Sequence, residues 1–557
     1  MTGPVAPDRR LLIMTACGFF LLTLVLGLLS EGVYHDDDLT HFLIARWSRW
    51  YPEYLLHIWG RPGFTVTVAA VSWMNNVDVA WHGARALSAC ISLLAALAAV
   101  RLAAQLGVAR PRLAVLFCYA QPLYVVLATT TLTENFAALY LTAALCLLYS
   151  RRIVAASLIF SLTLVTRHEA AVFVPIWLIA LIATPPTTAS WKGRISAAAA
   201  TFWAPVAHNL IFFAVFQRWP AEMFLRPTGS TEYPAAGMLS YLPDAAYAVT
   251  PLILGLAFIG AAKLIRRGEW LIPVLASAFF MTHVLVKAIG VFASGGYGRF
   301  LVTISPLLAI CALAGWNHLR SAAEERSRGA GGWLAFTLIW LLVWWAMENA
   351  FDAGRFEVGR DVLTATRVAA VVLIASCAAM IVLHRSGRMQ FAAMGLLVLT
   401  CAVQWCILVR PLGPQEDQLL VSRVVTWHEK HQPPDTPILA TNPWFSYYFN
   451  LVEHPRAHKG VALLASMPEG TIFYWDSKYS ESDFHRLRYR SINEIDGTEL
   501  LETFRTLVGR PLKVAAFRMN KPQQVASEEL DMPVYPRDLA AEAQPVRGIY
   551  YLRPAVE

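Results

Sequence analysis

The chain has little of what a disulfide-stapled scaffold would need. Its eight cysteines (Cys17, Cys90, Cys118, Cys146, Cys311, Cys377, Cys401 and Cys406) all fall in apolar stretches, and none follows Pro411. No disulfide framework is visible, so the cysteines assign no redox compartment. Internal repeats and low-complexity tracts are absent too, which excludes solenoids and biased disordered arrays. The tail after Pro411 has no Gly-rich loop of the kind that cradles nucleotide phosphates. The first apolar run, Leu11 to Ser30, follows Arg9 and Arg10 and lacks a small-residue cleavage site. It reads as a retained first helix and not as a signal peptide.

What the chain has in excess is apolar surface. Of its 557 residues 57% are hydrophobic, against roughly 45–50% in soluble proteins. The excess is concentrated in runs of about 15–25 residues broken by short polar loops, the length a spanning helix requires. In lipid only helices or closed barrels satisfy every backbone group, and runs this continuous argue for helices. The expected fold class is therefore an all-α polytopic membrane protein of about 13 transmembrane helices with a small C-terminal α/β domain. Helices are expected near 11–30, 82–105, 113–129, 135–150, 153–166, 170–184, 195–216, 246–264, 271–293, 300–317, 333–348, 366–384 and 391–409. Residues 64–74 form a further candidate membrane-contacting segment. The domains divide as 1–410, with the first outer loop at 31–62, and 411–557.

The net charge of +8 lies in short loops between apolar runs, so it sets topology and does not point to nucleic acid. Alternate loops are basic, from Arg9 and Arg10 through Arg151 and Arg152 to Lys263, Arg266 and Arg267. The other loops carry Asp36, Asp37, Asp38, Glu134, Glu169 and Asp244. This alternation puts the C-terminal domain on the non-cytoplasmic side, periplasmic or lumenal. The absence of cysteine in that domain and the Ala/Arg-rich composition favour a bacterial inner membrane over an endoplasmic reticulum. In the first outer loop, Leu39–Tyr54 mixes Phe42, Leu43, Trp47, Trp50 and Tyr51 with arginines, a pattern for an amphipathic helix in the interface. In the tail, Pro437–Thr441, Thr471–Trp475, Leu512–Phe517 and Gly548–Leu552 read as strands, with helices at Glu416–His431 and Gly497–Leu507.

The sharpest local motif is His35-Asp36-Asp37-Asp38. Three adjacent carboxylates repel one another, so the motif should bind a cation or raise a pKa, which would make a usable general base. A solvated loop marking the outer face is the plainer alternative. Glu134 sits where two apolar runs meet, costly unless it faces a cavity or partner, although a helix end capped by Thr133 also fits. In Thr166-Arg167-His168-Glu169, Arg167 can pair with Glu134 or Glu169, or hold a phosphate. Arg61 closes the first outer loop in Arg61-Pro62-Gly63. Arg299 follows a glycine-rich turn containing Tyr297 and opens a helix, a plausible anion site or an interfacial snorkel. All these groups fall on one face of the membrane by the loop charges. Together they suit a reaction on a phosphate-linked lipid, with arginines on the phosphate and a carboxylate taking the acceptor's proton.

The order of these motifs resembles the GT-C superfamily of polytopic glycosyltransferases, over most of 11–320. The likeness runs from His35-Asp36-Asp37-Asp38, similar to the His-x-Asp-Glu signature of its mannosyltransferases, to Arg61-Pro62 and Gly83-Ala84-Arg85. It continues through Thr133-Glu134 and Thr166-Arg167-His168-Glu169 to Gly298-Arg299-Phe300 with Pro306. Asp38 stands where many relatives have Glu, which leaves open which aspartate is the base. The resemblance implies a polyprenyl-phosphate-linked sugar donor and inverting transfer to a glycan, glycolipid or protein acceptor. Asp36, Asp37 or Asp38 would be catalytic, and Arg299, Arg167 and Arg61 would bind the donor phosphate. His35, Glu134, His168, Glu169 and Tyr297 would support them. Mannose is the favoured sugar. A divalent cation (Mg or Mn) held by Asp36 and Asp38 is compatible with the motif. Trp444, Tyr447, Tyr448 and Trp475 could stack on sugar or pack a core. A transporter or flippase of lipid-linked glycans is the main rival. It would place ionisable groups at the midplane and use broken helices in matching halves, which the sequence does not display. A membrane scaffold whose soluble tail does the work is a third reading, and would leave the first-loop acids dispensable.

Overall fold

The computed structural model describes residues 6–183, 190–220, 235, 237–290, 297–324, 402–452, 468–481, 487–493, 497–506 and 512–520, with isolated positions at 367–399 and 464. The span expected at 333–348, all but isolated positions of that at 366–384, the first part of that at 391–409, more than half of the loop 217–244 and the strand at Gly548–Leu552 lie outside the described residues. The chain forms two compact units, residues 1–29, 61–64 and 84–411, and residues 30–60, 65–83 and 412–557.

The first unit is helical. Among the described residues of the chain, four helices are long and apolar enough to cross a bilayer: Arg10–Leu29, Val77–Gln105, Leu271–Ile289 and Gly298–Arg320. The number rises to seven if three bent pairs each count as one span. Leu21, Ile182, Trp203, Leu210 and Ile289 are each more than half exposed, an apolar exterior suited to lipid. The protein is an integral, multi-pass membrane protein.

Three helices that read as continuous in the sequence are broken. The run 111–128 bends by 76°, 191–216 by 43° and 238–266 by 105°. Proline accounts for each break. Pro122 begins a new helix after Gln121, Pro205 follows the break at Phe202, and Pro251 follows Thr250, whose φ of 65° ends the preceding helix. A proline has no N–H for the i−4 carbonyl and restricts the residue before it. The helices Pro251–Arg266 and Ser305–Glu324 cross closely because Gly260 and Gly315 carry no side chain. A Cβ on Gly260 would strike the Cys311 carbonyl, and one on Gly315 the Leu256 carbonyl.

The second unit joins the first outer loop to the C-terminal domain. Its four-stranded sheet has the order β1 (Ile438–Ala440), β2 (Ile472–Asp476), β4 (Lys513–Met519), β3 (Thr498–Arg505). β1 runs parallel to β2, and β4 runs antiparallel to both β2 and β3. β2 is buried at every position, as a central strand covered on both faces should be. Leu439, Phe473, Trp475, Ala515 and Phe517 form the core on one face. Three expected strands and the helix Glu416–His431 are present. The stretch Gly497–Leu507, read as helix, is instead the edge strand β3. Its Glu and Leu content favours helix, but pairing with β4 overrides local preference. Charged Glu499, Glu502 and Arg505 blunt its open side.

The first outer loop also departs from expectation. The helix is there, at Asp36–Trp47, but Asp38, Leu39 and His41 through Trp47 are all buried. It is enclosed by its own unit and does not lie as an amphipathic helix on an interface. Arg46 is tied down inside by the carbonyls of Ser72 (3.0 Å), Met74 (2.6 Å) and Asn75 (2.9 Å) and by Asn450 Oδ1 (2.8 Å). Trp444, Tyr447 and Trp475 are core residues. Trp81 packs edge-on against Trp444 and Tyr447, and Trp475 Nε1 donates to the Leu487 carbonyl (2.8 Å).

Candidate functional site

Candidate groups gather in two places, one in each unit. In the first unit, Glu134 opens the helix Glu134–Tyr149, and Arg167 follows the helix Ile153–Thr166 in extended conformation. Arg299 sits in the 3-10 turn Gly298–Ile304. Arg167 donates to Glu134 Oε1 (3.0 Å) and to Glu169 Oε1 (3.0 Å), and Arg299 Nε lies 3.7 Å from Glu134 Oε1. Glu134 is fully buried, and Arg167 and Arg299 are only 3% exposed. That burial removes the snorkelling alternative for Arg299 and the simple helix-cap alternative for Glu134, since Thr133 makes no side-chain cap bond.

Close packing holds these motifs together. Gly63 is needed because a Cβ there would collide with Thr166 Oγ1, so the Arg61-Pro62-Gly63 turn sits against the residue before Arg167. Arg61 itself takes a left-handed backbone (φ 62°), and its charge acts on Glu169. A Cβ on Gly298 would come within 2.8 Å of the Asp244 carbonyl oxygen. The Phe300 ring lies 4.2 Å from the Arg167 guanidinium and 5.3 Å from that of Arg299, and the Tyr297 ring 5.1 Å from Arg299. These aromatic faces favour cations in a desolvated setting. His168 is half-buried in the next turn. Three arginines thus face two glutamates, an excess of positive charge. Among the described residues, Glu134 Oε2, Glu169 Oε2 and Arg167 Nε make no hydrogen bond.

Further charged groups, marked by no sequence motif, lie in the same unit. Lys287, inside a spanning helix, is ion-paired with buried Asp244, and His283 packs on Phe300 at 5.0 Å. Their signal was available, since an ionisable residue within an apolar span calls for a partner. Arg85 is also buried, with its guanidinium 3.5 Å from the Gly27 carbonyl at the end of the first helix.

In the second unit, Asp36, Asp37 and Asp38 form the first turn of Asp36–Trp47, where backbone N–H groups favour negative charge. His35 caps the helix: its Nδ1 accepts from Asp37 N and lies 3.4 Å from the Asp37 carboxylate. Asp38 is fully buried, whereas the Asp37 side chain is 17% exposed. The cation expected from the three carboxylates is present as a side chain. Lys478 Nζ lies 2.9 Å from Asp36 and 2.8 Å from Asp417. No signal in the tail marked Lys478, although the unbalanced aspartates implied a counter-charge. Among the described residues no three His, Cys, Asp or Glu side chains are grouped to hold a metal. With Lys478 on Asp36, the donor set at Asp36 and Asp38 does not fit a divalent ion.

Two solved structures share the fold of this chain: ArnT from Cupriavidus metallidurans in the apo state (TM-score 0.57, 11% identity, 91% of this chain and 98% of that chain covered), and ArnT from the same organism bound to undecaprenyl phosphate (TM-score 0.57, 12% identity, 93% and 100% covered). At these identities the likeness establishes the fold. No protein-family model matches the chain, and neither does any curated protein.

Proposed function

We propose that this chain is a membrane glycosyltransferase that moves a sugar from a polyprenyl-phosphate-linked donor to an acceptor hydroxyl with inversion. The observation that carries the reading is the buried excess of arginine over glutamate in the first unit. A desolvated cluster of guanidiniums is a site for a phosphate, and it stabilises the charge that grows as the lipid phosphate departs. The shared fold with ArnT, a GT-C glycosyltransferase seen with undecaprenyl phosphate, supports the donor class. Arg167, Arg299 and Arg61 hold the phosphate, with Glu134 and Glu169 orienting Arg167. Of the three aspartates Asp37 is the base, because Lys478 occupies Asp36 and Asp38 is buried. Asp37 takes the hydroxyl proton as the acceptor oxygen bonds to the anomeric carbon, and the bond from that carbon to the phosphate oxygen breaks with its electron pair leaving on the phosphate. Mannose is the favoured sugar and a glycan, glycolipid or protein the acceptor. About thirteen spans, a bacterial inner membrane and a periplasmic C-terminal domain complete the reading.

The test uses the full chain in nanodiscs. Undecaprenyl phosphate binding is measured first. Release of undecaprenyl phosphate is then followed from undecaprenyl-phosphate mannose and a panel of other linked sugars, with and without chelator. Arg299→Ala should lose binding. Asp37→Asn should bind normally while turnover falls by about 10²–10⁴-fold, and chelator should change nothing. Undiminished turnover in Asp37→Asn overturns the assignment of the base, and undiminished turnover in Asp36→Asn and Asp38→Asn as well removes any aspartate of the motif from the chemistry. Passage of intact donor across vesicles without cleavage establishes the flippase instead.

A further inference from the structure

Among the described residues of the C-terminal domain no side chain reads as catalytic, yet Lys478 reaches the aspartate turn. β2 ends at Asp476, and the next residues fold back over that carboxylate. Asp476 accepts from the backbone N–H groups of Lys478 (2.9 Å) and Tyr479 (2.7 Å), from Thr441 Oγ1 (2.9 Å) and from Ser480 Oγ (3.3 Å). A buried carboxylate with four donors is a rigid post, because breaking the set would leave charge uncompensated in a low-dielectric interior. The tight turn it imposes carries Lys478.

The other side of the contact is equally built. Asp417 stands in the first turn of Glu416–His431 and bonds the Gln418 N–H (2.9 Å). The same helix end is fastened to the first outer loop by Gln415 Nε2 on the Val33 carbonyl (3.1 Å) and Gln418 Nε2 on the Glu31 carbonyl (2.8 Å). Lys478 therefore joins a fixed turn of the sheet to the N-terminal turns of two helices. The Tyr479 phenol also bonds Asp36.

We infer that Lys478 is a positioning residue for the proposed base: by clamping Asp36 and Asp417 it fixes the Asp36-Asp37-Asp38 turn so that Asp37 is held in its working orientation. The inference rests on the transferase reading above. Lys478 does not touch substrate. It neutralises the carboxylate next to the base and limits how far the first turn of the helix can shift. The groups facing Lys478 are Asp36, Asp417 and the Tyr479 ring at 5.0 Å, and Asp37 faces His35. Burial pulls the Lys478 pKa down, but Asp36 and Asp417 pull it up more strongly, so it stays charged above the ordinary lysine range.

The experiment compares Lys478→Met, Lys478→Arg, Asp36→Asn and the double variant Asp36→Asn/Lys478→Met in the full chain. Each is checked for monodispersity and for undecaprenyl phosphate binding. Because misplacing a reacting group by about 1 Å can cost about a hundredfold, Lys478→Met should lower kcat by tens to about a hundredfold with undecaprenyl phosphate affinity unchanged. Its acid limb should move to higher pH, since losing a neighbouring cation raises a carboxylate's pKa. Lys478→Arg should recover most of kcat, and the double variant should be no slower than Lys478→Met. Wild-type kcat and pH profile in Lys478→Met overturn the inference, and so does failure of Lys478→Arg to rescue a folded, lipid-binding protein. Asp37→Asn separates the two claims. If it is inactive while Lys478→Met is normal, only the positioning role fails, and if it is fully active the underlying reading fails.

Discussion

The arginine cluster of the first unit sets Arg61, Arg167 and Arg299 against Glu134 and Glu169. Among the described residues, the aspartate cluster of the second unit sets Asp36 and Asp417 against Lys478 and Asp37 against His35. The first is cation-rich, buried and lined by the Tyr297 and Phe300 rings. The second is acid-rich and keeps Asp36 and Asp37 partly exposed. A desolvated cation excess suits a dianionic headgroup, because little water competes for it. A half-exposed carboxylate suits proton exchange with an incoming hydroxyl. The two units therefore differ in charge balance, and each cluster can be broken by itself.

The largest effect is expected at Arg167. Arg167→Ala removes the guanidinium hydrogen-bonded to buried Glu134 and leaves only Arg299 at 3.7 Å; breaking a buried pair in this way costs up to about 3–5 kcal/mol of stability, and it should abolish undecaprenyl phosphate binding. Thermal unfolding and lipid titration in nanodiscs check both, and an unchanged midpoint would show that the cluster is not the keystone of its unit. Next comes Gly63→Ala, whose methyl group would strike Thr166. An overpacked contact of this kind costs about 1–3 kcal/mol, and the shift should pass to Arg167 as weaker lipid binding. Gly298→Ala meets the Asp244 backbone and should act in the same range, seen as weaker undecaprenyl phosphate binding with normal monodispersity. The smallest effect concerns pH. Lys478 has a folded-state pKa raised above the unfolded value near 10.5. Its contribution is complete below that value and fades only as pH climbs past the folded one. Unfolding midpoints of wild type and Lys478→Met should differ at neutral pH and converge in strong alkali.

These clusters were unequally legible in the sequence. Arg61, Glu134, Arg167, Glu169 and Arg299 stood out because each interrupts or borders an apolar run, where a charge needs a reason. The aspartate triplet announced itself by local repulsion. Lys478 and Asp417 did not, because a lysine and an aspartate in a polar tail are ordinary. Only the fold of β2 around Asp476 makes them neighbours of Asp36. Gly497–Leu507 misled for a related reason: Glu and Leu favour helix locally, and the strand exists because β4 offers it a ladder.

Membrane insertion, several of the spanning helices and the residue types of the arginine cluster were legible in the sequence alone. Hydrophobic runs of spanning length and costly embedded charges are local properties that no neighbour can cancel. The breaks beside Pro122, Pro205 and Pro251 were not read there, and neither were their angles of 76°, 43° and 105°. The tertiary structure alone decided which glutamate each arginine meets, that the first-loop helix is enclosed within its own unit, and that the cation beside the aspartates is Lys478. Such pairings reach as far as the 442 positions between Asp36 and Lys478, and their energy depends on distances of a few ångströms that packing sets.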